Sequence, residues 1–497
     1  MHLRSPRRWW ILAALAVTLL VFSMDLTIVN VALPTLALEL QADTAQLQWF
    51  ATSYMLALAS LLIPAGTLSD RFGQKPVLLS ALAVFAAGSL ACAYATNPET
   101  LIAARVLLGV GGAFLIPASM SITYLLFDPM ERPRAMGIWA AAIAIGVPIG
   151  PVVAGVLLNH FWWGSIFLIN VPVIVIGIVF LAVLLPTSAS RPGMSLDVIG
   201  MIISAAALTA TTYGVINAGN NGWAQVTTLA SLGGGLIGFG ALAAWLRRTR
   251  APLFPLTLLT SPGFLWGTVF ATLASFALMG LIFVAPQLIQ ANFDEGALGT
   301  GLRLLPMVGG LAAGSFLSDH LRSRIRANLI ATIGFLVLGV GAIAGTINDV
   351  TSSYGVHAVW MTLVGAGVGI TLPLTMDVAM GSLKEDGSGV GSGVLQAFRQ
   401  VGGAFGVAVL GSTLSSVYNK RLHLTSMPQD LAARVESSVA SGVQVARKLN
   451  FPEFLFHVRD SFLSGAHSVL WLCAAVMALS AVLSLRYLPA HAEDQEE

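Results

Sequence analysis

Apolar stretches of about 18 to 26 residues recur along this chain from one end to the other, and no other feature constrains its fold as much. Each is long enough to cross ~30 Å of hydrocarbon at 1.5 Å per residue. They fall near 10–33, 47–68, 77–95, 101–125, 136–158, 165–185, 197–217, 228–246, 264–288, 299–319, 327–346, 356–381, 390–417 and 464–485. Fourteen spans, an even number, put both termini on one side of a membrane.

Composition points the same way. Of 497 residues, 56% are hydrophobic and 10% charged, and mean hydropathy is +0.82. A soluble domain carries about a quarter charged residues to hydrate its surface, so this surface faces lipid. A net charge of +2, with Lys and Arg scattered rather than striped, excludes nucleic acid as a partner. Cys92 and Cys473 sit inside apolar runs without metal-ligand spacing and read as small core residues. Arg4, Arg7 and Arg8 precede the first apolar run as in a signal peptide. That run, Trp9 to about Pro34, is too long and lacks a small-residue cleavage site, so it is read as a membrane helix.

Basic residues test the count of spans. With a cytoplasmic N-terminus, the cytoplasmic segments hold Arg4, Arg7, Arg8, Arg71, Lys75, Arg132, Arg134, Arg191, Arg247, Arg248, Arg250, Arg322, Arg324, Arg326, Lys384 and Arg486, which is 16 of 25. The short outside loops hold none and carry Glu39, Asp43, Glu99, Asp294, Glu295 and Asp349 instead. This is the positive-inside asymmetry. Arg105, Arg303 and Arg399 fall within or at the ends of spans. The other six basic residues lie in one long outside segment, 418–462. There Leu431, Val435, Val439 and Val443 keep an i, i+4 spacing that predicts a short amphipathic helix. A second cluster follows at Phe451, Phe454, Leu455 and Phe456, and together they suggest a hairpin resting on the outer face.

The chain repeats itself. Gly66-Thr-Leu-Ser-Asp70-Arg71-Phe-Gly73-Gln-Lys75 joins spans two and three, and Gly314-Ser-Phe-Leu-Ser-Asp319-His-Leu-Arg322-Ser-Arg324 joins spans ten and eleven. Repeated halves around a central site are a common transporter plan. Six spans per half leave spans seven and eight as an inserted pair.

Five further stretches carry polar or backbone-distorting residues inside apolar helices. In span one, Met24-Asp25-Leu-Thr-Ile-Val-Asn30-Val-Ala-Leu-Pro34 holds an aspartate near mid-span. A buried acid is costly there unless neutral, paired or wetted, so it is a candidate to carry a proton or meet cargo. Span four holds Arg105-Val-Leu-Leu108-Gly109-Val-Gly111-Gly112, and a buried Arg needs an acceptor. Span five holds Gly146-Val-Pro148-Ile-Gly150-Pro151-Val-Val-Ala154-Gly155, where small residues make a flat face and two prolines bend the helix. Span thirteen holds Gly389 to Gly406, with Gln396, Arg399 and Gln400 among glycines. Asp377 in span twelve follows Gly365, Gly367, Gly369 and Pro373. It is either a cargo contact or a residue of the inner mouth.

With these motifs the chain resembles the major facilitator superfamily over essentially its whole length. More narrowly, it is similar to the fourteen-helix drug:proton antiporter branch of QacA-like multidrug exporters. The resemblance implies an all-α membrane protein of two pseudo-symmetric six-helix halves, 1–190 and 256–497, with an inserted pair at 191–255. It casts Gly66, Asp70, Arg71, Gly73 and Lys75 as a conformational switch, and Gly146, Pro148, Gly150, Pro151 and Gly155 as the antiporter motif. It makes Asp25 and Arg105 coupling or substrate candidates, and Asp377, an acid the family pattern does not generally demand, joins them on its position alone. Leu108 stands where the family pattern has glutamine. Asn30, Tyr54, Met55, Met120, Tyr124, Trp139, Gln396 and Arg399 are candidates to line a cavity for flat cationic compounds. No Walker A loop, zinc-ligand pair or nucleophile elbow occurs, so no enzyme, metal or cofactor is expected and the energy comes from an ion gradient or the substrate's own. The expectation is a monomeric exporter of lipophilic, cationic drugs, dyes or biocides, exchanged for protons in the inner (plasma) membrane, with both termini cytoplasmic. Two alternatives stand beside it: a dedicated exporter of an endogenous metabolite, antibiotic or lipid, and a transporter-like sensor.

Overall fold

The computed structural model describes residues 7–128, 131–185, 197–249, 252–322, 324–350, 352–383, 388–422, 424 and 427–489. Of the basic residues used above, Arg4, Arg191, Arg250 and Lys384 lie outside them. Regular structure among the described residues is helical, with no strand. The first set of helices is α1 (Arg7–Glu39), α2 (Thr44–Phe72), α3 (Gln74–Ala93), α4 (Pro98–Leu126), α5 (Arg132–His160), α6 (Ser165–Leu168) and α7 (Asn170–Leu184). A pair follows, α8 (Val198–Asn221) and α9 (Val226–Arg248). After a 3-10 turn at Leu256–Thr260 come α10 (Pro262–Phe293), α11 (Ala297–Arg303), α12 (Leu305–Arg322), α13 (Ala327–Gly345), α14 (Tyr354–Gly381) and α15 (Ser388–Arg421). The chain ends with α16 (Gln429–Ser437), α17 (Val439–Lys448) and α18 (Pro452–Tyr487). Among the described residues thirteen spans are long and apolar enough to cross a membrane, and α5 makes a fourteenth if its two parts, bent by 46° between Val147 and Ile149, count as one. The chain is therefore a multi-pass membrane protein.

Local chemistry sets the helix ends. Asp43 accepts from the Gln46 backbone at 2.8 Å while the Gln46 side chain accepts from the Asp43 backbone at 3.1 Å, which caps α2 twice over. Asn97 and Thr100 do the same for α4. Gly73 joins α2 to α3 at φ 91°, a conformation that strains any residue with a Cβ. That requirement explains one motif glycine.

Helix partners recur between the two sets. In the first, α1 packs on α5, α2 on α4, and α3 on α4 and α7. In the second, α10 packs on α15, α12 on α14, and α13 on α14 and α18. The sequence repeat is therefore a repeat of packing. The two sets meet where α2 lies along α15, α5 on α11, and α1 on α10, while α8 fits beside α15 and α2. The α5–α11 contact is at the end of the bundle away from the termini, here called the far end. There a methyl on Gly155 would lie 2.6 Å from the Leu298 Cα.

The long segment differs from its sequence reading. The i, i+4 series is broken: Ser438 is extended (φ −165°, ψ 156°), ends α16, and caps α17 by accepting from the Ser441 backbone at 3.2 Å. The second apolar cluster is the first turns of the last span rather than loop, because α18 begins at Pro452.

Candidate functional site

Asp25 sits in the middle of α1, with no solvent exposure. Its Oδ2 receives the Arg105 guanidinium of α4 at 2.7 Å, and its Oδ1 accepts from Asn170 Nδ2 of α7 at 3.0 Å. The same Asn170 amide reaches Ser89 Oγ of α3 at 3.2 Å. Arg105 also donates through Nε to the Phe50 carbonyl of α2 at 2.9 Å, and its guanidinium lies 4.5 Å from the Tyr54 ring centre and 6.0 Å from that of Phe167. A lone buried charge is untenable in a low dielectric, whereas a paired and hydrogen-bonded one persists. The carboxylate's two partners come from α4 and α7, and through Arg105 and Asn170 the network reaches α2 and α3 as well.

This answers what the missing glutamine left open. Leu108 is fully buried in the apolar core, and Arg105 finds its acceptors on α1 and α2 instead. Sequence reading missed Asn170 and Ser89 as partners. The signal was a polar side chain at the start of an apolar run, in Asn170-Val-Pro172.

The antiporter motif lies against the helix that carries Asp25. A methyl on Gly146 would collide with Ser23, and one on Gly150 with Thr27 and with the Met24 carbonyl at 2.8 Å. Bare backbone on α5 lets it nest on the turn of α1 around Asp25. Pro151 has no N–H, so the Val147 carbonyl loses its helical partner. Thr27 Oγ1 supplies the replacement at 2.8 Å. Beyond Pro151 the same helix touches the second set, since Gly301 of α11 packs on the Pro151 carbonyl.

The other candidates are spread out. Asn30 is buried one turn or so beyond Asp25, its amide near the Leu26 and Thr27 carbonyls at 3.4 Å. Met55 meets Gly403 of α15 across the boundary between the sets, its sulfur 3.2 Å from a methyl placed there. Trp139 donates to Ser119 Oγ at 3.0 Å and packs near Met120. Arg399 is partly exposed and donates to Gln396 Oε1 at 2.7 Å, with Ser275 at 3.4 Å. The side chain of Tyr124 lies outside the described residues, as do those of Asp70 and Pro148, and Gly66 falls there too. Lys75 does not hang free: its Nζ donates to the Ala182 and Leu185 carbonyls at 2.7 and 2.5 Å, capping the end of α7. Arg71 stacks on Phe72 at 5.4 Å. Asp377 is exposed at the end of α14 nearer the termini, paired with Arg322, which also approaches Asp319 at 3.7 Å. Asp25 and Asp377 share no partner: the one is buried among the helices of the first set, the other lies exposed at a helix end of the second.

Two matched helical sets, the first of them built around a buried ion pair, make a two-half membrane fold. A family model described as Major Facilitator Superfamily matches residues 15–407, and the chain belongs to that family. It is 29% identical to the tetracenomycin C resistance and export protein of Streptomyces glaucescens, over 96% of this chain and 91% of that one. It is 28% identical to the multidrug efflux pump LfrA of Mycolicibacterium smegmatis, over 97% of each. Among solved structures, a bacterial homologue of the human lysosomal transporter Spinster, inward-facing and occupied, superposes with a TM-score of 0.71 at 16% identity, over 97% of this chain and 98% of that one.

Proposed function

We propose that the protein is a proton-coupled exporter of lipophilic drug-like compounds, cationic ones among them, working in the inner (plasma) membrane with both termini in the cytoplasm. The observation that carries this reading is the Asp25–Arg105 pair, buried in the first half and joined through α1 to α5, the helix that closes on the second half. Resistance and export relatives along nearly the whole chain support it. The matching helix partners support halves at 1–190 and 256–497, with 191–255 as the inserted pair.

In this reading the exchange is indirect. Among the described residues the partners of Asp25 all belong to the first half, so cargo held between the halves does not displace the proton by contact. A proton on Asp25 instead cancels its charge and leaves Arg105 to the Phe50 carbonyl and the Tyr54 face. The tie between α1 and α4 slackens, α1 shifts, and the Thr27–Val147 contact carries the shift into α5. Beyond its bend α5 leaves α11, and the far end opens. Cargo and proton then favour opposite states of one protein, which is antiport in linkage terms. No cofactor enters this scheme, and its partners are small molecules, protons and lipid, with one chain sufficing.

The test is ethidium efflux from loaded proteoliposomes with and without a pH gradient, where the gradient must drive accumulation against the dye's own gradient. Equal movement with the gradient collapsed would remove the coupling. A dedicated antibiotic exporter is the second reading, favoured by the likeness to the tetracenomycin C protein. Cargo breadth in the same assay separates the two.

A further inference from the structure

The far end holds a cavity of ≈ 440 Å³ where three elements meet: the end of α1, with Pro34 and Glu39; the end of α10, with Gln287 and Gln290; and α17, with Gln444 and Arg447. That volume suits a small molecule. The cavity lies on the line where the halves part, because α1 belongs to one and α10 to the other, and Gln290 Nε2 bridges them by donating to the Val31 carbonyl at 3.0 Å.

Its chemistry is rich in acceptors. Gln287 is 3% exposed and spends its amide N–H on the Phe283 carbonyl at 2.9 Å, and its oxygen has no partner among the described residues. Of the three carboxylates in the wall, Asp294 is paired with Arg447 and Arg459, and Glu295 with Arg303 at 2.5 Å. Glu39 is exposed and has no cation partner among the described residues.

The roof is the α16–α17 hairpin, and its fastenings are unequal. To the second half it is held by Arg447 on Asp294, by the Tyr418 hydroxyl on the Val435 carbonyl at 3.0 Å, and by the buried Val435 and Val439. To the first half it is held by packing on α1 and by one side-chain bond, Thr44 Oγ1 to the Ser437 carbonyl at 2.9 Å. Separation of the halves at this end breaks the weaker set, and the hairpin leaves with the second half.

We infer that this cavity is an exit site for cargo bearing a cationic or hydrogen-bond-donating group, and that the hairpin is its lid. The inference rests on the export reading and adds where cargo is held before release. A disulfide between Thr44→Cys and Ser437→Cys tests the lid, with both native cysteines fully buried and so spared. The oxidised protein is expected to export ethidium about tenfold more slowly, since a lid that cannot open holds up release, and reductant to restore it. Export unchanged by oxidation overturns the lid. Propidium, a membrane-impermeant cation, tests the site when added outside right-side-out vesicles holding the reduced protein, whose lid is free to open. Saturable binding is expected, weakened about fivefold by Glu39→Gln, the weight of one partly exposed ion pair. Absence of external binding, or binding indifferent to Glu39→Gln, overturns the site. If the reduced protein moves no ethidium at all, the export reading fails instead, and external propidium binding still decides the cavity.

Discussion

The Thr27 hydroxyl of α1 donates to the Val147 carbonyl of α5 at 2.8 Å, at the one place where Pro151 has deprived α5 of its own donor. The bond fastens the helix bearing the buried carboxylate to the helix that bends by 46° and then packs on the other half. Sequence, packing and mechanism meet in that contact.

Replacing Thr27 with Val keeps the shape and removes the donor. The partly buried Val147 carbonyl then loses its side-chain donor, which costs about 1 kcal/mol. Thermal unfolding in detergent should show a lower Tm. Gly150→Ala should cost about 1–3 kcal/mol for an overpacked contact, because its methyl meets the Met24 carbonyl backbone at 2.8 Å and backbone cannot rotate away. An unchanged Tm in both variants would show that α1 and α5 are not held this way.

Removing one member of the Asp25–Arg105 pair leaves a buried charge uncompensated, at about 3–5 kcal/mol. Arg105→Met alone should therefore destabilise more than Arg105→Met combined with Asp25→Leu. Chemical denaturation of the wild type, Arg105→Met, Asp25→Leu and the double variant measures this, and additive losses would mean the two side chains are not coupled.

How much of this was legible beforehand follows from what periodicity encodes. Span positions, the repeat at Asp70 and Asp319, and the bent glycine face of α5 are written in local patterns of apolar, glycine and proline residues, and they could be read directly. Partners across helices are not local. Asp25 and Asn170 lie 145 positions apart, and nothing in either stretch names the other. The hairpin was misread because valines at i, i+4 spacing say nothing about a break. The Ser438-Val439 start with Ser441 three residues on is a capping signal that could have revealed it.

Asp377 offers a contrast with Asp25. Its pairing with Arg322 is exposed, and exposed pairs are worth about 0–1 kcal/mol. Asp377→Asn should keep both Tm and pH-driven ethidium transport near wild type. A transport loss comparable to that of Asp25→Asn would move the coupling site to the second half.

Gly73→Ala places a Cβ at φ 91° in the turn between α2 and α3, a strain of about 1–3 kcal/mol. The turn also positions Lys75 on the end of α7. The variant should lower Tm and slow transport together, and Lys75→Met should slow transport with a smaller change in Tm. Transport rates and unfolding curves of the pair check this.

The most direct test of the account is transport by Asp25→Asn in proteoliposomes, read with an imposed pH gradient and again with only a cargo gradient. The carboxylate that exchanges the proton is gone, so uphill accumulation should vanish while downhill movement of ethidium continues. Uphill accumulation at the wild-type level would contradict the account, because the proton would then be carried elsewhere.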